Sequence, residues 1–222
     1  MAFFCYSLGM VDNNKIIIFD MDGVLFDTIP FARKVFLETH PGVTEEMYNE
    51  IHSGNFHQEA AKYLSLHISE SEEEKNKRHA EYAEKKSQSK LFEGIKDLLT
   101  ELRNLGYILV LNTNAYERNA LPLLKNSQIE NLFGFIASAE TSKDKVEKFK
   151  IIADKYKVSN KEMLFITDAL GDIIDADKAG VPAVAVTWGV HREDILNREK
   201  HFNLKNIVNT VSDLKQVILK LL

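Results

Sequence analysis

Cysteine is nearly absent from this chain. Cys5 is the only one in 222 residues, so no intramolecular disulfide can form. That scarcity fits a reducing compartment, and the chain reads as cytoplasmic. A basic excess is also missing: the formal net charge is −5. Nothing in that balance points to nucleic acid or an anionic membrane as a partner. No run approaches the ~20 apolar residues of a membrane span. The first ten residues, MAFFCYSLGM, are apolar but lack the basic start of a signal peptide, and Asp12 follows closely. They read as an extension packed on the body. Repeats and low-complexity tracts are absent as well. What remains is ordinary globular composition, 45% apolar, enough for one large domain or one domain with a smaller insertion.

Against this background one segment stands out, KIIIFDMDGVLFDT, from Lys15 to Thr28. The apolar run from Ile16 to Phe19 suits a central strand of a parallel sheet, buried on both faces. Asp20 and Asp22 follow directly. Acids at the end of a buried strand are costly unless a ligand needs them, and strand ends are where open α/β sheets carry ligands. A calcium loop also begins Asp-x-Asp, but it needs an oxygen ligand at its fifth position and Gly at its sixth. Val24 and Leu25 stand there.

The block DMDGVLFDT resembles the first motif of the haloacid dehalogenase-like hydrolases, a superfamily of aspartate-nucleophile phosphatases. The resemblance implies a Rossmann-like core, a Mg²⁺ ion, and an attack by Asp20 on phosphorus. Asp22 would then serve as the general acid and base.

The rest of the chain is consistent with that core. Helical spacing over 94–105 stops at Gly106, and strands are expected over 107–111, 135–137, 163–166 and 183–186. Helices are expected from about 115 to 124, with Pro122 an irregularity, and over 145–156, 173–179 and 211–222. This alternation predicts an α/β fold, a doubly wound and mostly parallel sheet with right-handed crossovers. Residues 29–90 break the pattern. Helices are expected over 30–39, 45–52 and 57–66. Residues 70–90 carry six Glu and six Lys or Arg, the composition of a solvated helix face. The expected organisation is a core of residues 1–28 and 91–222 with an inserted helical cap of residues 29–90. In position and size it resembles the cap of the subgroup containing phosphoglycolate phosphatase and β-phosphoglucomutase.

Three later segments match the superfamily's remaining motifs in order. LVLNTN ends in Thr113 and Asn114. By the resemblance, Thr113 holds phosphoryl oxygens with its hydroxyl and backbone N–H, although a bare Thr is equally at home as a helix cap. ETSKDKVEKFK offers a lysine near a helix start, which would stabilise charge on the transferring phosphoryl group. Lys145 precedes the core-facing Phe149 by four residues and Lys143 by six, with Lys145 the favoured candidate. LFITDALGDIIDADKAGV supplies Asp168 and Asp172, with Thr167 where the superfamily usually has Gly.

The implied Mg²⁺ ligands are Asp20, the backbone carbonyl of Asp22, and Asp168. Asp172 is either a further ligand or a group orienting waters or the lysine. Asp175 and Asp177 read as surface charges. In the cap, the turn-like cluster Gly54, Asn55 and His57 is a candidate for contacting the leaving group. The loop around Trp188 reads as closing the fold.

The expected function is Mg²⁺-dependent hydrolysis of a small phosphorylated metabolite through an aspartyl-phosphate. A phosphosugar mutase fits the core motifs equally, and a noncatalytic binding protein on the same fold is the rival from another class. A dehalogenase is disfavoured, because a departing halide does not need the proton that Asp22 can supply.

Overall fold

The computed structural model describes residues 15–197, 201 and 203–222. Cys5 and the apolar segment expected to pack on the body lie outside the described residues. Strand β1 (Ile16–Phe19) is fully buried and takes parallel neighbours on both sides, β2 (Ile108–Asn112) and β4 (Met163–Thr167). With β3 (Phe133–Ala137), β5 (Ala183–Val186) and β6 (Leu204–Val208), the order is β3-β2-β1-β4-β5-β6, all parallel.

The alternation of β1 explains its purely apolar sequence. Ile17 and Phe19 join one hydrophobic cluster and Ile16 and Ile18 another. The first cluster draws on α5 (Ile95–Asn104), α6 (Glu117–Asn126) and α10 (Val211–Leu221). The second draws on α7 (Lys145–Tyr156) and α8 (Leu170–Ala179). Each fully buried aliphatic or aromatic side chain in such a layer contributes about 1.5–3 kcal/mol. Phe149 of α7 meets Phe165 of β4 edge to face, with ring centroids 5.1 Å apart. The expected doubly wound α/β fold is therefore present, with β1 at the point where strand order reverses.

Several boundaries move. β2 extends to Asn112 because its register with β3 runs on through Ala137. α8 begins at Leu170 rather than near 173. β6 and the short helix α9 (Glu193–Leu196) were not anticipated. β6 is a half-exposed edge strand whose sequence, LKNIV, has its apolar residues interrupted by Lys205 and Asn206.

Between β1 and α5 the described chain is helical: α1 (Ile29–Thr39), α2 (Glu45–Ile51), α3 (Phe56–Ala61), a 3₁₀ turn at Leu64–Leu66, and α4 (Glu72–Lys86). The helix expected over 57–66 is thus split. α4 forms in its Glu- and Lys-rich sequence for a local reason. Ser71 and Glu74 make a reciprocal capping box, Glu72 to Glu74 sit at the positive end of the helix dipole, and Lys85 and Lys86 at the negative end. The chain enters and leaves this segment side by side: the Asp27 N–H donates to the Lys90 carbonyl at 3.0 Å and the Phe92 N–H to the Leu25 carbonyl at 3.0 Å. No helix among the described residues is long and apolar enough to cross a membrane.

The helical segment also touches the core at the start of α8. The Gly171 N–H donates to the His52 carbonyl at 2.9 Å. A Cβ on Gly171 would stand 2.2 Å from the Gly54 carbonyl oxygen, so only glycine permits this approach. Gly171→Ala is expected to separate the segment from the core without unfolding it. The expected result is faster proteolytic cleavage within residues 45–61, with a cooperative unfolding transition retained. Unchanged cleavage rates would show that the contact does not hold the segment in place.

Candidate active site

The carboxyl ends of β1, β2 and β4 open into a cleft of about 230 Å³, walled on its far side by the helical segment. The Asp20 N–H extends the sheet by donating to the Ile166 carbonyl at 2.9 Å, which fixes its side chain at the cleft floor. Burial raises the Asp20 carboxyl most; Lys145 pulls it down and Asp172 and Asp22 push it up, leaving it at about 6. The chain then turns sharply at Gly23, with φ +76°, where a Cβ would lie 2.1 Å from an Asp168 carboxylate oxygen. This glycine is required both by its backbone conformation and by the acid beside it.

Of the two candidate lysines, Lys145 is the one that lines the cleft. It is 2% exposed, opens α7, and places Nζ 3.1 Å from Asp20 Oδ1 and 2.6 Å from Asp172 Oδ2. Burial alone would lower its pKa, but Asp172 and Asp20 together hold it above the ordinary lysine value. Lys143 is exposed. Asp172 Oδ2 also accepts from Thr167 Oγ1 at 2.6 Å. Thus the threonine at the superfamily's usual glycine position clamps the acid that holds the lysine. Of the roles left open for Asp172, this geometry supports orienting Lys145. Asp168 is buried, accepts from the Val190 N–H at 2.6 Å, and is pushed well above the usual carboxylate range by burial and by Asp20.

Thr113 and Asn114 line the same cleft. The Thr113 hydroxyl accepts from the Ala115 N–H at 3.0 Å and is within the site, but its backbone N–H donates to the Ala137 carbonyl at 3.0 Å. The expected phosphoryl contact through that N–H is therefore corrected: β2 and β3 continue pairing one residue further and consume it. In the helical segment, Gly54 and His57 line the cleft. Asn55 does not; its side chain accepts from the Gln58 N–H to cap α3 and donates to the Lys143 carbonyl at 3.4 Å. The loop after β5, read as closing the fold, packs against the turn after β1, with the Trp188 indole donating to the Val24 carbonyl at 3.2 Å.

Some participants were not visible in the sequence. Lys86, in the stretch read as a solvated face, is 3% exposed and stands 2.8 Å from the Asp22 carboxylate. Thr28 Oγ1 donates to Asp22 Oδ1 at 2.6 Å. Burial would lower the Lys86 pKa, but Asp22 raises it further. Lys148 is fully buried beneath the β2 end. It donates to the Thr113 carbonyl at 2.6 Å and to Asn114 Oδ1 at 3.3 Å, and burial beside Lys145 lowers it to about 7. His191 takes the Leu170 N–H on Nδ1 at 3.0 Å, so Nε2 carries the proton it donates to the Asn49 carbonyl at 3.0 Å. The readings of Asp175 and Asp177 as surface charges are corrected. Asp175 is 5% exposed and raised by burial, and Asp177 accepts from the Asn203 N–H at 2.7 Å.

The donor set fits Mg²⁺ in a limited sense. Among the described residues no three acidic, histidine or cysteine side chains converge on one metal-sized point. The residues present are two buried carboxylates, Asp20 and Asp168, each raised chiefly by burial and further by neighbouring carboxylates. A hard cation that keeps several waters and takes one or two carboxylates suits that pair, and it would relieve the repulsion between them.

The sequence and structure have relatives. A profile of the family described as haloacid dehalogenase-like hydrolase matches residues 17–186. A phosphoglycolate phosphatase of Aliivibrio fischeri is 30% identical over 209 residues, covering 84% of this chain and 90% of that protein. One of Vibrio cholerae is 27% identical over 226 residues, covering 92% and 97%. Among solved structures, a predicted phosphatase from Clostridium acetobutylicum superposes with a TM-score of 0.74 at 21% identity, covering 93% and 98%.

The placement of the lysines carries a direct test. Lys145→Ala is expected to lower phosphate release by about a hundredfold or more, as for loss of a preorganised charge in a dry site. Lys143→Ala should cost less than about threefold, as for a solvated surface charge. The reverse order, measured by kcat on one good ester, would assign the role to Lys143.

Proposed function

The chain belongs to the haloacid dehalogenase-like hydrolases, and from that membership we propose that it is a Mg²⁺-dependent phosphatase of a small phosphorylated metabolite, working through an aspartyl-phosphate. The observation that carries the reading is the convergence of Asp20, Asp22, Thr113 and Lys145 on one cleft at the end of β1.

In the proposed reaction an Asp20 carboxylate oxygen attacks phosphorus in line. The bond from phosphorus to the ester oxygen breaks, and Asp22 gives that oxygen its proton. Asp22 then takes a proton from water as the water oxygen attacks the aspartyl-phosphate, freeing phosphate and restoring Asp20. Lys145 lies against Asp20 and offsets charge on the phosphoryl oxygens, while the Thr113 hydroxyl holds one of them. Asp172 and Thr167 keep Lys145 in place. Lys86 and Thr28 fix the Asp22 carboxylate from the side of the helical segment. A bound Mg²⁺, held by Asp20, the Asp22 carbonyl and Asp168, would neutralise phosphoryl charge. Residues 29–90 act as a cap that excludes bulk water and contacts the leaving group, with residues 1–28 and 91–222 as the core. The single cysteine and negative net charge support a cytoplasmic enzyme with no nucleic acid partner.

Asp20→Asn is expected to reduce turnover by at least about a thousandfold, because an amide is no nucleophile here. Its circular dichroism should stay native. Substantial phosphate release by the folded, undeamidated variant would sink the covalent route. Activity should also be lost in EDTA and return on adding Mg²⁺. Full activity after chelation would remove the metal from the reading.

A further inference from the structure

The wall facing the catalytic acids is aromatic and short of charge. Tyr48, His52, Phe56 and His57 follow one another along the helical segment with ring-centroid separations of 4.9, 5.2 and 5.7 Å, and all line the cleft. Tyr116 joins the lining from the core. A row of this kind is often plain core packing. Here Phe56 and His57 line the cleft and are only partly buried, so the wall is not sealed by packing.

The cations of the lining are already committed. Lys145 lies between Asp20 and Asp172, and Lys86 is held at Asp22. Burial holds His52 at a pKa of about 4, so its ring is neutral near pH 7. Arg118 stands over the Tyr116 ring at 4.6 Å and is exposed, and Lys143 is exposed; neither lines the cleft. A second anionic group on the leaving alcohol would lose its hydration against rings with no uncommitted lysine or arginine among the described lining residues to receive it. Two lining side chains nevertheless carry buried polar atoms without a protein partner, Nε2 of His57 and Oδ1 of Asn119. Such atoms match polar substituents at the edge of a neutral ring.

Resting on the phosphatase reading above, we propose that the ester cleaved here carries an uncharged aromatic alcohol, a planar ring bearing polar substituents, rather than an alcohol with a second anionic group. The relatives named phosphoglycolate phosphatase take a substrate whose leaving alcohol bears a carboxylate, and this wall is not built for that. The ring packs on Phe56 and the neighbouring histidines, and the phosphoryl group stays at Asp20 and Lys145.

The test compares benzyl phosphate, 2-phosphoglycolate and glycerol 3-phosphate, all alkyl monoesters, with purified protein and Mg²⁺. kcat/KM for benzyl phosphate should exceed that for 2-phosphoglycolate by about tenfold or more. Phe56→Leu keeps apolar bulk but removes the ring. It should lower the ratio of benzyl phosphate to glycerol 3-phosphate kcat/KM by at least about threefold, and Phe56→Ala by about tenfold. A preference for 2-phosphoglycolate, or ratios unmoved in both folded variants, would overturn the aromatic assignment and leave the phosphatase reading standing. No phosphate from any of the three esters would overturn the phosphatase reading, and the assignment with it.

Discussion

One ammonium group governs the arrangement of this site. Asp20 and Asp168 lie at buried strand ends beside Asp172 of the first turn of α8, and burial and like charge oppose the ionisation of Asp20 and Asp168. Lys145 is the cation set among them, bonded to Asp20 and Asp172. The rest of the local structure serves that placement. Asp144 caps α7 so that Lys145 starts the helix facing inward, Thr167 clamps Asp172, and Gly23 leaves room for Asp168. Removing one charge from such a cluster leaves the others uncompensated, so its members act as a unit.

How far the sequence was legible followed from how local each signal was. Asp20 and Asp168 could be found because Asp20 directly follows an unbroken apolar run and Asp168 follows one with only Thr167 between, and a buried strand announces its own end. Lys145 could be ranked above Lys143 because its spacing from Phe149 puts both on the inward face of one helix. Lys86 could not be found. It reaches Asp22 across 64 positions of sequence, from a stretch where more than half the residues are charged and none is marked as the one that turns inward. Asp175 was misread for the related reason that an acid one turn beyond Asp172 looks like helix surface until the neighbouring elements are placed. The backbone N–H of Thr113 was lost to a single extra sheet pairing, and strand ends are settled by the partner strand rather than by their own residues. β6 was missed because an edge strand needs little apolar sequence.

The cleft divides chemically along the boundary between core and helical segment. The acids, Lys145 and the Thr113 hydroxyl come from the core, on rigid strand ends and helix starts. Among the described lining residues, the helical segment contributes rings, histidines and the Lys86 ammonium, which bonds Asp22. The two sides of the cleft thus come from different stretches of chain, joined by polar contacts that include Lys86 to Asp22, His191 to Asn49, Gly171 to His52 and Asn55 to Lys143.

The way the chain enters and leaves that segment has a consequence for its history. Asp27 and Lys90 are hydrogen-bonded neighbours, and Phe26 forms a bridge with Leu91. To the core, everything between those residues is a detour that begins and ends at one point. Such a detour can be lengthened, shortened or rewritten without altering the spacing of any strand. The strand ends that carry Asp20, Thr113 and Asp168 can therefore be inherited intact while the opposite wall of the cleft changes by substitution within a single contiguous stretch of the gene.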